Sequence, residues 1–239
     1  MTWAAVGSPV VAQGTPANAT PTPTTLGNIV VVAITGYWGL FGPGVGYGGG
    51  GVTTWNQVSP DPLGFPVTSP GTTPNAELTT TAAIAGTFIF WGVITATGPQ
   101  PFYTTAALSS SFIYQEFSPP PGVVGQDPNY GQANARSSDP PVTSGAWPAV
   151  VPSGSNELFI GSMELFQNAD GTKPVLNGTT AGFTYVSYAD SAMVYKCNVA
   201  SPTSYAPAWT VSGGTVLAPM FDGFLYIVPS VQTRIVMMP

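Results

Sequence analysis

The sequence predicts an all-β protein: an antiparallel β-sandwich, jelly-roll-like, with long Gly/Pro-rich loops. Three observations carry this. The hydrophobic runs are short, rich in Val, Ile, Phe, Tyr, Trp and Thr, and separated by Gly, Pro, Asn and Ser. The 29 glycines and 26 prolines punctuate the chain too often for long helices. No window sustains an apolar repeat of helical period.

The strand candidates follow in order: Asn28–Thr35, Thr87–Thr95, Ser111–Phe117, Glu157–Phe166, Phe183–Tyr188, Ala192–Val199, Trp209–Ser212 and Phe221–Val228. Two runs, TFIFWGVIT and NELFIGSMELF, are apolar at nearly every position. A strand with one wet face alternates, so these expect cover on both faces, from a second sheet and loops or from a neighbouring subunit. Two stretches read as long loops. Gly36–Gly51 is glycine-rich and carries Tyr37, Trp38, Phe41 and Tyr47. Pro119–Pro152 holds eight prolines and joins two halves.

Those halves echo each other. LGNIVVVAI and GSNELFIGSM each set a small-residue turn and Asn before a strand. A Thr/aromatic segment follows each, TTWNQVS and AGFTYVSYAD, and an apolar closing strand ends each, SFIYQEF and MFDGFLYIV. The expected organisation is a single sandwich domain over residues 1–229. Its two pseudo-equivalent halves, about 1–118 and 153–229, are joined by loop 119–152, and 230–239 forms a tail. Both halves are expected to contribute equivalent strands to both sheets.

Composition bounds the chemistry. Four Lys or Arg, ten Asp or Glu and no histidine make 6% charged residues, against about one-quarter in an average domain. At 44% hydrophobic the chain can still build a core. The longest clean apolar run, Ile29–Ile34, is far shorter than the roughly 20 residues of a membrane-spanning helix. The N-terminus has no basic region ahead of its apolar stretch, which argues against a signal peptide. Four cations, Arg136, Lys173, Lys196 and Arg234, cannot form a basic patch, so no nucleic-acid partner is expected. The lone Cys197, in the strand-like VYKCNV, reads as a buried thiol.

Catalytic readings are poor. Ser–His and Cys–His nucleophiles need a histidine, and no characteristic motif surrounds either lysine for a Ser–Lys pair. Glu157 and Glu164, seven positions apart on one strand, point to opposite faces about 23 Å apart, too far for paired glycosidase carboxylates. Glu116, Asp127, Asp139 and Asp190 are left to meet partners across the fold. The NADG segment at Asn168–Gly171 reads as a tight turn, not a calcium loop. The Gly-rich loop lacks the Gly-Lys-Ser/Thr ending of a phosphate cradle. No enzyme activity, metal or cofactor is expected.

The order of the segments resembles the β-rich minor tail or structural proteins of phages infecting actinobacteria. The opening AAVGSPVVAQGTPANATPTPTTLGNIVVVAI matches that family's small-residue strand, Thr/Pro stretch and turn into an aliphatic strand. TTWNQVS, FIFWGVITATGPQPFYTTAALSSSFIYQEF, GFTYVSYAD, PAWTVSG and FDGFLYIV follow in the family's order, over nearly the whole chain. The Gly-rich aromatic loop and the tail VPSVQTRIVMMP depart from the pattern. The resemblance implies a virion structural component assembled in the host cytoplasm, most readily a minor tail or baseplate-associated protein. The alternatives are a capsid-decorating protein and a module adhering to host cell-surface glycan. The partners it implies are other virion proteins and further copies of the same chain.

The candidate contact residues are Tyr37, Trp38, Phe41, Tyr47, Trp147 and Arg234. The four loop aromatics offer apolar area at modest rotamer cost, to a neighbour or a glycan; equally they can tuck back onto the sandwich. Trp91 and Trp209 read as core. Trp147, in the Pro-rich segment, reads as an interface anchor. The tail with Arg234 can add a strand to a neighbour's sheet edge or fray.

Overall fold

In the computed structural model the described residues are 2–14, 17–38, 44–47, 51–57, 77–79, 86–105, 107–127, 129, 142–165, 174–189, 191–214 and 219–230. They form seventeen strands. In chain order these are β1 (Ala4–Gly14), β2 (Asn18–Ala19), β3 (Ile29–Trp38), β4 (Gly44–Tyr47), β5 (Gly51–Gln57), β6 (Glu77–Thr79), β7 (Gly86–Ala96), β8 (Phe102–Thr105) and β9 (Ala107–Ser118). The second set is β10 (Val123–Gln126), β11 (Ser144–Ala146), β12 (Ser155–Leu165), β13 (Val175–Gly178), β14 (Thr184–Tyr188), β15 (Ser191–Ala200), β16 (Ala208–Ser212) and β17 (Pro219–Ser230). No helix occurs among the described residues, and every strand pairing is antiparallel.

Two five-stranded sheets make the sandwich. One runs β1-β9-β3-β7-β5 and the other β10-β17-β12-β15-β14. Each half of the chain therefore builds its own sheet, against the expectation that the halves share both. The reason is local. In each half the first strand pairs the last, β1 with β9 and β10 with β17, so the sheet closes within its own segment. The second half begins at β10, inside the stretch read as a loop, which also contains β11. The Gly-rich stretch is likewise partly strand: β3 runs on to Trp38, and β4 occupies Gly44–Tyr47.

The two sheets have one strand order. Naming the long strands of each half a to e in chain order, both read a-e-b-d-c. The small sheets repeat the likeness. β2-β8-β4-β6 and β11-β16-β13 order their strands by the same connections, the second lacking an equivalent of β6. The sheets stack with opposite strand sequence: β7 lies over β12 and β17, β3 over β12 and β15, β9 over β15 and β14, and β1 over β14. Exchange of the halves reproduces the central part of this pattern: β7 on β12 matches β3 on β15, β7 on β17 matches β9 on β15, and β3 meets β12. The chain thus has an approximate internal pseudo-twofold at the β3–β12 contact, which the edge contacts of β14 with β9 and β1 do not follow.

This layering explains the continuous apolar runs. On β3, Ile29, Val31 and Ala33 face the core between the sheets. Val30, Val32 and Ile34 face a second core, which they share with Trp55, Phe102 and Phe112. On β12, Leu158 and Ile160 join the central core. Phe159 and Met163 turn the other way, to Trp147, Leu176 and Trp209. Both faces of the central strands β3 and β12 are thus dry, and the cover is the chain's own. Trp91 and Trp209 are buried core residues, as the sequence predicts.

Candidate functional site

The central core carries polar groups where the halves meet. Thr35 on β3 hydrogen-bonds Ser191 on β15, and both hydroxyls also bond Ser111 on β9. Thr87 on β7 bonds Ser162 on β12 at 2.7 Å. Under exchange of the halves a b-to-d pair becomes another b-to-d pair, so one contact type occurs twice. A buried hydroxyl needs a partner; these find theirs across the layers and so fix the lateral position of one sheet on the other.

Three buried carboxylates sit at the entrances to the central strands, one before β3 and a pair before β12. Glu116 on β9 is 5% exposed. It accepts from Thr24 N and Thr24 Oγ1, both at 2.9 Å, and from Asn28 Nδ2 at 2.5 Å, pinning the chain that enters β3. Its neighbour Tyr114 has its phenol pushed up by burial and by the Glu116 charge.

The other two are paired. Asp127 follows β10 and Glu157 opens β12, where the ladder is irregular and Asn156 has a positive φ of 57°. Both carboxyls are fully buried. Asp127 Oδ1 accepts from Asn129 N at 2.6 Å; Oδ2 accepts from Ser153 N at 2.8 Å and Ser153 Oγ at 2.6 Å. Glu157 Oε1 accepts from Gly154 N at 2.5 Å. Among the described residues no N–H or neutral O–H is aimed at Glu157 Oε2, and the Asp127 carboxyl is the side-chain partner that acts on Glu157.

Two acceptors can bond only if one holds a proton, and the environments decide which. Burial opposes ionisation of Asp127, but its Ser153 and Asn129 donors outweigh this and hold it below the ordinary carboxylate range. Burial, then the bond to Asp127 and its charge, push Glu157 up to about 7, against the Gly154 N–H. Of the two, Glu157 is the one whose surroundings favour the proton. Both carboxyls are fully buried and engaged with backbone and Ser153 donors, so neither is exposed to a sugar.

This pairing was left open in the sequence because Asp127 and Glu157 are thirty positions apart. The available signal was Asp127 beside Asn129, with Ser153 and Gly154 just before Glu157, two short polar turns that can meet. Glu157 and Glu164 both lie on β12, seven positions apart, and the Glu164 side chain lies outside the described residues.

Of the predicted contact residues, Trp147 is corrected. It is 1% exposed, its Nε1 donates to Ser162 O at 3.1 Å, and its ring packs on Tyr185. It is an anchor within the chain. β11 carries it onto the outer face of the second sheet, where it is consumed. Tyr37, Trp38 and Tyr47 lie on β3 and β4, with side chains outside the described residues. Phe41 and Arg234 lie outside them altogether, as do Arg136, Asp139, the NADG segment, Lys173, Asp190 and the tail beyond Ser230. Cys197 sits on β15, half-buried rather than buried, its thiol pushed up by burial. Lys196, the only cation among the described residues, lies over the rings of Phe183 and Tyr205 at 5.1 and 5.4 Å.

No protein-family model matches this chain, and no curated protein matches it. Among the described residues no three His, Cys, Asp or Glu side chains gather as a metal site.

Proposed function

We propose that the chain is a non-enzymatic structural component of a phage virion, a minor tail or baseplate-associated protein that acts through assembly contacts. The observation that carries this reading is the duplicated a-e-b-d-c layer, stacked on itself about a pseudo-twofold. Such a body spends its apolar residues and its buried hydroxyls on joining its own halves. What it offers outward is uncharged and hydrogen-bonding: Thr, Ser, Asn, Gly and Pro. A part locked among neighbours needs little charge repulsion to stay apart from them. The carboxyl pair supports a non-catalytic role, because its oxygens are engaged with backbone and with each other. The segment order that resembles phage tail proteins supplies the tail assignment.

The second reading places the chain on the head shell. The observation favouring it is the strand order itself. First strand beside last, with the second small sheet threaded through the connections, is how a jelly roll is wound, and jelly rolls recur in viral capsids. Fold alone does not name a function, so location is decided by labelling. Gold-tagged antibody against the chain, applied to purified particles, is expected to mark the tail tip. Gold on the head shell selects the second reading, and unlabelled particles that lack the chain by mass spectrometry overturn both.

A further inference from the structure

We propose that Asp127 and Glu157 form a one-proton latch that holds the chain leaving β10 against the turn entering β12, and that loss of this proton opens the latch locally. The geometry carries it. Asp127 ends the first strand of the second half and, through Ser153 N and Oγ, reaches the turn before β12. Asn129 doubles the connection, its Nδ2 donating to Val151 O at 3.0 Å. Glu157 closes the same turn on Gly154 N. Three hydrogen bonds and a shared proton therefore join two segments that no ladder pairs, and the Gly154 N–H bond to Glu157 closes the turn itself.

The latch contains one orphan acceptor, Glu157 Oε2, in a residue that is fully buried. A protonated Glu157 supplies the missing donor toward Asp127. An ionised one leaves two buried carboxylates in contact with nothing to bridge them, a state that costs several-fold to several-hundred-fold in population. A cation is a poorer fit than a proton, because both Asp127 oxygens already receive N–H or O–H donors whose hydrogens would face the metal. Among the described side chains, the other charged groups on neighbouring elements are engaged elsewhere; those of Asp222 on β17 and Glu164 on β12 lie outside the described residues. Glu116 on β9 is held by Thr24 and Asn28, and Lys196 on β15 lies over Phe183 and Tyr205. Apart from Asp127, the groups acting on Glu157 are burial and Gly154 N–H.

The sign follows from linkage. Glu157 binds its proton more tightly folded than unfolded. Its contribution is complete below the ordinary glutamate value, is lost as pH rises toward about 7, and levels off above. Asp127, held low, contributes in the opposite direction, losing its share only in strong acid.

Hydrogen exchange on the full chain tests this. After correction for intrinsic exchange, the opening constants of the Asn129, Ser153 and Gly154 amides are expected to rise on the order of a hundredfold between pH 4.5 and 8, one decade for each pH unit of linked proton. Amides of the β3–β9 ladder serve as the reference and stay flat. Glu157→Gln, whose amide donates at every pH, flattens the profile of the three amides. If wild type and Glu157→Gln give the same profile, or the three amides follow the reference ladder, the latch is wrong. Should the variant not fold, a carboxyl-carbon NMR titration of wild-type Glu157 decides instead: a midpoint near 7 supports the latch, and one in the ordinary glutamate range overturns it.

Discussion

Asn198 holds Trp3 by two hydrogen bonds across 195 positions of sequence: Trp3 N donates to Asn198 Oδ1 at 2.8 Å, and Asn198 Nδ2 donates to Trp3 O at 3.2 Å. The clasp fastens the start of the first half to β15 of the second. It seats the Trp3 indole, 2% exposed, in the core between the sheets. Asn198 sits at a φ of 62°, a left-handed conformation that Asn tolerates better than most residues. Trp3→Ala should cost about 3–5 kcal/mol of unfolding free energy, as large-to-small changes at full burial do. Asn198→Ala should cost about 1–3 kcal/mol by leaving the Trp3 groups unpaired and by straining the backbone. Asn198→Gly restores the backbone share alone, and urea denaturation of the three variants separates the two effects.

Trp147 belongs to the protein's interior, and its substitution should behave so. Trp147→Phe keeps most of the ring packing against Tyr185 and loses the bond to Ser162 O, for about 1–3 kcal/mol. The loss should show in thermal or chemical unfolding. Incorporation of the folded variant into particles should match wild type, whereas an interface anchor would do the reverse.

The hydroxyls between the sheets should act as a pair. Thr87→Val removes the hydroxyl that bonds Ser162 Oγ and is expected to cost about 1–3 kcal/mol. Adding Ser162→Ala removes the other hydroxyl and should return part of that loss. A double-mutant cycle reads the coupling, expected between about 0.5 and 3 kcal/mol; additive losses would show that the two hydroxyls do not depend on each other.

Gly161 marks where the second sheet tolerates no side chain. A Cβ there would lie 2.9 Å from Val194 Cγ1 and 3.1 Å from both Cδ1 and Nε1 of Trp147. Both neighbours are buried and cannot swing clear. Gly161→Ala should therefore destabilise by about 1–3 kcal/mol through overpacking. A melting temperature equal to wild type would mean that Trp147 has room the contacts deny.

The fold class was legible because strand chemistry is local. Runs such as Asn28–Thr35 and Ala192–Val199 carry their β-branched and aromatic residues in sequence, and turn residues bracket them. What hid the layering was the same property that revealed the strands. Ile29 to Ile34 is apolar throughout, so it states that both faces are covered without saying by what. The cover comes from residues on or beside β2, β8, β11, β13 and β16, such as Ala17, Phe102, Trp147, Leu176 and Trp209, in short segments whose pairing is non-local. Trp147 misled for a related reason: prolines around it mark a connection, and a connection that lies on a sheet buries its aromatics. The carboxyl pair was open because burial, not residue type, makes Glu157 hold a proton. Among the contact candidates, the aromatics of the Gly-rich stretch stood out for composition, a signal about chemistry and not about position.

A reconstruction of the intact particle, at a resolution that traces strands, decides whether the chain is a built-in part of the virion. The two stacked five-stranded layers are expected as one body wedged between virion neighbours, touching them through uncharged side chains. Particles complete in every other component but without this chain would contradict it.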